Sequence, residues 1–208
     1  MKKKYLILLV LVASFSACTD KFEEFNTDIK NPAIVEGESL FSNAQRLLAR
    51  QLMSTNVNIN IFKLMAQYWT ECTYIDEANY DLTNRSIPDN VFSAYYLGFL
   101  RDFQEAALLI EATTPTSSVG EIEKKNRLAI IDLMVVYSYQ NLVDVFGNVP
   151  YTDALDIENI SPKYDDAATI YQDLINRVNK ALTDLDDSQG SFGSADLVYG
   201  GDVALWKK

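Results

Sequence analysis

From Leu128 to Val136 every residue except Asp132 is apolar. A segment greasy on almost every face is not a surface helix with one buried stripe, so the pattern predicts a helix through the middle of a bundle. The apolar stretch is too short and too flanked by charge to span a bilayer. Gly147 suits a helix stop and Pro150 prevents resumption, which places the predicted end near Phe146. Other segments carry apolar residues at three- and four-residue spacing. Leu40, Phe41, Ala44, Leu47, Leu48 and Leu52 form one stripe, with Glu36, Glu38 or Ser39 in the first turn. Phe62, Met65, Ala66, Trp69 and Cys72 form a second. A third runs through Phe92, Tyr95, Tyr96, Phe99, Leu100, Phe103, Ala106, Ala107 and Ile110, behind Asp89 or Asn90 as cap. A fourth has Tyr171, Leu174, Ile175, Val178, Ala181, Leu182 and Leu185, and is predicted to fray over the acidic residues 184–187.

The breaks between these stripes are as informative. Thr113-Thr-Pro-Thr-Ser-Ser118 interrupts the chain and offers a capping box from Ser118 to Glu121. Between Thr73 and Pro88 periodicity fails, leaving a long polar loop carrying aromatics. No segment alternates over strand length, so the fold class is all-α, built of antiparallel helix pairs. A further amphipathic helix starts at Asp202 and has only two turns before Lys208, so the chain is expected to be truncated at its C-terminus.

Lys2, Lys3 and Lys4 precede an apolar run from Tyr5 to Val12, then small residues and Ala17-Cys18. This is the layout of a signal peptide over residues 1–17. The residues before Cys18 resemble the lipobox of bacterial lipoproteins, with Phe15 where leucine is usual; the alternative is an ordinary signal peptide. The resemblance implies a Cys18 that carries lipid, palmitate included, and a polar tether over residues 18–36 ahead of a helical domain over 37–208. With Cys18 lipidated, Cys72 has no disulfide partner and reads as a small buried residue.

Eighteen basic residues stand against 29 acidic, a net charge of −11, and removal of the three lysines in residues 1–17 takes it to −14. Binding to a phosphate backbone is opposed by that charge, which sets nucleic acid aside. Histidine is absent, and with it the usual general base and the commonest zinc ligand. No metal or cofactor is expected.

Three stretches resemble the SusD/RagB family of nutrient-binding outer-membrane lipoproteins. They are Leu142-Val-Asp-Val-Phe-Gly-Asn-Val-Pro-Tyr-Thr-Asp-Ala-Leu155, Pro162-Lys-Tyr-Asp-Asp-Ala-Ala-Thr-Ile-Tyr-Gln-Asp-Leu-Ile175, and Asp196-Leu-Val-Tyr-Gly-Gly-Asp-Val-Ala-Leu-Trp206. The resemblance implies a scaffold of degenerate tetratricopeptide-like helix pairs, an outer-membrane location facing outward, a TonB-dependent SusC-type transporter as partner, and an oligosaccharide cargo. Within it, Gly147-Asn-Val-Pro-Tyr151 reads as a structural turn.

Sugar rings need aromatic faces to lie on and amides or carboxylates to bond their hydroxyls. The 73–88 loop supplies both, which makes Tyr74, Asn79, Tyr80, Asn84 and Arg85 the candidate ligand residues. Those tyrosines have a second reading, as pins holding the loop to the helices. Trp69, on a helical stripe, reads as core. Two other function classes compete: a scaffold or transporter lid that binds no ligand, and a hydrolase drawing on Asp76 with Glu77 or Asp165 with Asp166. Adjacent acids at a helix start more often serve as solvated caps, so no catalytic role is assigned.

Overall fold

The computed structural model describes residues 35–208, so the segment 1–17 and Cys18 lie outside it. Helix α1 spans Gly37–Met53 and buries Phe41, Ala44 and Leu48 as its stripe predicts. It also buries Gln45 and Gln51, which the apolar pattern does not flag. The second stripe largely fails: α2 is only Phe62–Met65, and Cys72 and Trp69 are exposed. Gln67 at φ 59° ends the regular turn, and nothing packs over the continuation.

A long rod follows, made of α3 (Ile87–Ser93), a π-helical stretch Ala94–Leu100, and α4 (Arg101–Glu111). It begins before Asp89 and Asn90, with Pro88 in its first turn, so neither acts as cap. Ile87, Val91, Tyr95, Phe99 and Phe103 are all buried, at intervals of four. Four residues overshoot an α-helical turn by about 40°. The wider π turns absorb that drift and keep the stripe on one face.

Helix α5, Ser118–Phe146, is the central element, and burial over several sides leaves it no simple polar face. At 29 residues the helix itself is long and apolar enough to cross a membrane by length and composition, unlike its apolar middle read alone; half of that window is buried within the protein. Its N-cap is Ser117, whose Oγ accepts from Gly120 N at 3.1 Å, one residue ahead of the predicted Ser118–Glu121 box. Gly147 ends it as predicted, at φ 73°, donating its N–H to Val143 O. Only glycine takes that backbone region without strain.

The turn beyond is structural. Val149–Pro150 (β1) pairs antiparallel with Tyr164–Asp165 (β2), a two-residue ladder that the helical pattern does not foretell. Asn148 Oδ1 accepts from Ala167 N at 3.0 Å, tying this turn to the start of α6, Ala167–Asp184. Asp166 is the N-cap of α6. Ile170, Leu174, Ala181 and Leu185 are buried, but Ile175 and Leu182 of the predicted stripe are exposed, because α6 lies at the edge of the bundle with α5 as its main neighbour.

Side-chain rungs fix the directions of the helices. Tyr171 with Asp144, Arg177 with Asp132, and Asp184 with Lys125 run α6 antiparallel to α5. Asn43 Nδ2 with Asp102 Oδ2 at 2.7 Å, and Gly37 against Ile110, run α1 antiparallel to α4. Lys124 on the carbonyls of Glu111 and Thr113 closes the α4–α5 hairpin. The all-α class of antiparallel pairs is therefore what the chain adopts. Its last stretch, a 3₁₀ turn at Gly193–Ala195 and α7 at Val203–Trp206, folds back over α1: Phe192 stacks on Phe41 with ring centroids 3.9 Å apart.

Candidate functional site

The loop after α2 presents four exposed aromatics within thirteen residues: Tyr68 (83% exposed), Trp69 (48%), Tyr74 (81%) and Tyr80 (52%). Tyr68 and Trp69 are absent from the sequence-derived candidate set, and Trp69 is not core. Lys63 Nζ lies 4.7 Å from the Trp69 ring centre, over one of its faces. Three non-glycine residues of this loop, Gln67, Tyr74 and Tyr80, take left-handed backbone conformations. These are costly for side chains of that size. No core packing requires the conformation of Tyr74, whose ring stands in solvent.

The candidate residues divide by what they already bond. Tyr80 Oη donates to Met65 O at 2.9 Å and accepts from Gln67 Nε2 at 3.0 Å, so it pins the loop. Asn84 Nδ2 donates to Asp81 Oδ2 at 2.8 Å. Hydrogen bonds from Thr83 hold the Asp81 carboxyl below its usual range. Arg85 Nη2 bonds Glu77 Oε2 at 2.7 Å, and its Nε lies 2.6 Å from Oε1, which has no well-aimed donor of its own and is held by charge alone. Glu77 is almost fully buried, so this pair is the loop's internal anchor. Tyr74 and Asn79 make no side-chain hydrogen bond to the others; they sit at the loop's outer face. The loop thus has an inner frame (Glu77, Tyr80, Asn84, Arg85) and an outer face (Tyr68, Trp69, Tyr74, Asn79).

A second polar cluster lies between α5 and α6. Arg177 donates to Asp132 and, through Nη1, to the Tyr151 hydroxyl at 2.8 Å; Tyr151 in turn bonds Asp173. Burial opposes the Arg177 charge, yet the hydrogen bonds and charge of Asp132 outweigh it and raise its pKa. Burial, then the bond to Asp173, pushes the Tyr151 phenol up to about 12. Both Arg177 forks are occupied, so this is a brace between two helices.

Three of the four acids weighed for hydrolysis are spent similarly. Asp165 accepts from Tyr151 N and Thr152 N at 3.2 and 2.7 Å, Asp166 caps α6, and Glu77 is paired with Arg85. Among the described residues no three His, Cys, Asp or Glu side chains converge as metal ligands.

The described residues form a helical scaffold with exposed aromatics on an internally bonded loop. The chain belongs to the SusD-like family described as starch-binding and associating with the outer membrane, whose pattern matches residues 29–208. It is similar in fold to a chitin-binding protein of known structure, at 21% identity and TM-score 0.64, over 83% of this chain and 36% of that one. It is similar also to a Bacteroidetes SusD-like structure, at 24% identity and TM-score 0.60, over 83% and 31%. The chain thus spans about a third of the length of each. No curated protein matches it.

Proposed function

We propose that this chain is a carbohydrate-binding component of the outer cell surface, lipid-anchored through Cys18, that passes oligosaccharide to a TonB-dependent transporter. The observation that carries the reading is the framed loop with Tyr68, Trp69 and Tyr74 facing solvent. An exposed aromatic face accepts the apolar face of a sugar ring, while the half-buried Arg85–Glu77 pair holds the loop in shape. Family membership supports the class of ligand and the membrane association. The chitin-binding relative supports β-linked amino sugars as one oligosaccharide to try.

Calorimetry of the full chain in detergent with malto- and chito-oligosaccharides tests it. Trp69→Ala and Tyr74→Ala should each weaken binding roughly tenfold, in keeping with the loss of one stacking contact of about 1 kcal/mol or more. The second reading, a transporter lid without a ligand of its own, is favoured by the internal engagement of Tyr80, Asn84 and Arg85. It wins if no oligosaccharide binds while the transporter still co-purifies with the chain.

A further inference from the structure

A cleft of about 380 Å³ opens between the end of α1, the turn that follows it, and the rod where α3 meets the π-helical stretch. That is the size of small-molecule sites. Its walls include Leu47, Arg50, Gln51, Asn58, Asn90 and Gly98, and Arg50 is the one charged residue among them. Gln51 is 7% exposed; its Nε2 donates to Ile59 O at 2.7 Å, and its Oε1 meets no donor among the described residues. That oxygen is not sealed from solvent, so it stands as a free acceptor that a ligand hydroxyl can reach.

Arg50 joins none of the ion pairs among the described residues. Arg50 is exposed, and its forked guanidinium in a carboxylate-free wall offers a local partner for a ligand carboxylate against the opposing net charge of −11. Gly98 has a helical backbone with no atom within 4 Å of where a Cβ would sit, so the cleft floor there is open space. Asn58 Oδ1 also accepts from Arg85 Nη1 at 3.3 Å, which joins this cleft to the frame of the aromatic loop.

We propose that the cleft holds one ring of a carboxylated sugar, a uronate, with the carboxylate on Arg50, a ring hydroxyl donating to Gln51 Oε1, and the ring lying over Gly98. This rests on the carbohydrate-binding reading and names an acidic subsite within it. The aromatic face would take the neutral part of the oligosaccharide, and the cleft its acidic end.

The test is calorimetry on the full chain in detergent at low salt, with a uronate disaccharide and the neutral disaccharide of the same linkage. The wild type should prefer the uronate at least tenfold. Arg50→Gln should bring the two sugars to equal affinity. Gly98→Leu, for which the backbone and the free space allow folding, should abolish uronate binding with an unchanged circular dichroism spectrum. Trp69→Ala should leave the uronate disaccharide bound and weaken only longer neutral oligosaccharides. Equal wild-type affinity for both disaccharides, or wild-type-like uronate binding by Gly98→Leu, overturns the subsite while Trp69-dependent oligosaccharide binding stands. Absence of binding by every sugar overturns the carbohydrate reading as well.

Discussion

Asp196 accepts from five donors: Gln45 Nε2, the backbone N–H groups of Val198, Tyr199 and Gly201, and Trp206 Nε1. Burial opposes its ionisation, but the bonds from Trp206, Val198, Gly201 and Gln45 prevail and hold its carboxyl below the ordinary aspartate value. A carboxyl whose pKa is lower folded than unfolded contributes stability that is fully present above 3.8 and is lost as pH falls through the folded value. Asp196→Asn should therefore melt well below wild type at pH 7, and the gap should narrow as the pH is taken below about 4. Melting curves over that range check it, and a gap independent of pH would refute the role of the charge. The position is marked in the sequence only as the first residue of Asp196-Leu-Val-Tyr-Gly-Gly-Asp202. What makes it a hub is invisible there, since Gln45 lies 151 residues away. Gly201 belongs to the same knot: a Cβ on it would stand 2.4 Å from Gly193 N, at φ +83°.

At the scale of elements, what was legible followed from how much each helix buries. Helices α1, α4, α5 and α6 press a continuous stripe on a neighbour, and their periodicity survives in the sequence. The run Phe62 to Cys72 has the same spacing but nothing to press against, so Gln67 turns it off after four residues and its aromatics stay in water. Periodicity reports which residues share a face, not whether anything covers that face, and this is why Trp69 and Cys72 read as core. The same blindness hid Gln45 and Gln51, polar residues whose partners lie outside their helix. Of the candidate site, the loop was legible as a break in pattern; its division into inner frame and outer face required the hydrogen bonds. Two glycines separate backbone freedom from space. Gly98→Ala, in a helical backbone with room for a methyl, should stabilise the chain by about 0.5–1 kcal/mol. Gly147→Ala, which also has room but sits at φ +73°, should destabilise it by about 1–2 kcal/mol. Urea denaturation of the two variants measures both signs.

For the whole molecule, anchoring and assembly are the properties to establish. Cys18 lies outside the described residues, and its lipidation is an expectation from the lipobox-like sequence before it. Labelled palmitate should enter the wild-type chain in cells and not Cys18→Ala; equal labelling of both would end the claim. The fold has a consequence in time as well. Ser42 Oγ donates to Ala195 O at 2.7 Å, Gln45 reaches Asp196, and Phe41 is sealed by Phe192. Helix α1 is therefore closed by residues made some 150 positions later, which at about 5–20 residues per second is a delay of roughly 8–30 s. Through that interval the Phe41 face is open on a growing chain, and pairing across such a sequence distance is slow even once both ends exist. Closure of the Phe41 face waits for the loop that carries Phe192 and Asp196, so that face should become protected only after synthesis has passed Trp206.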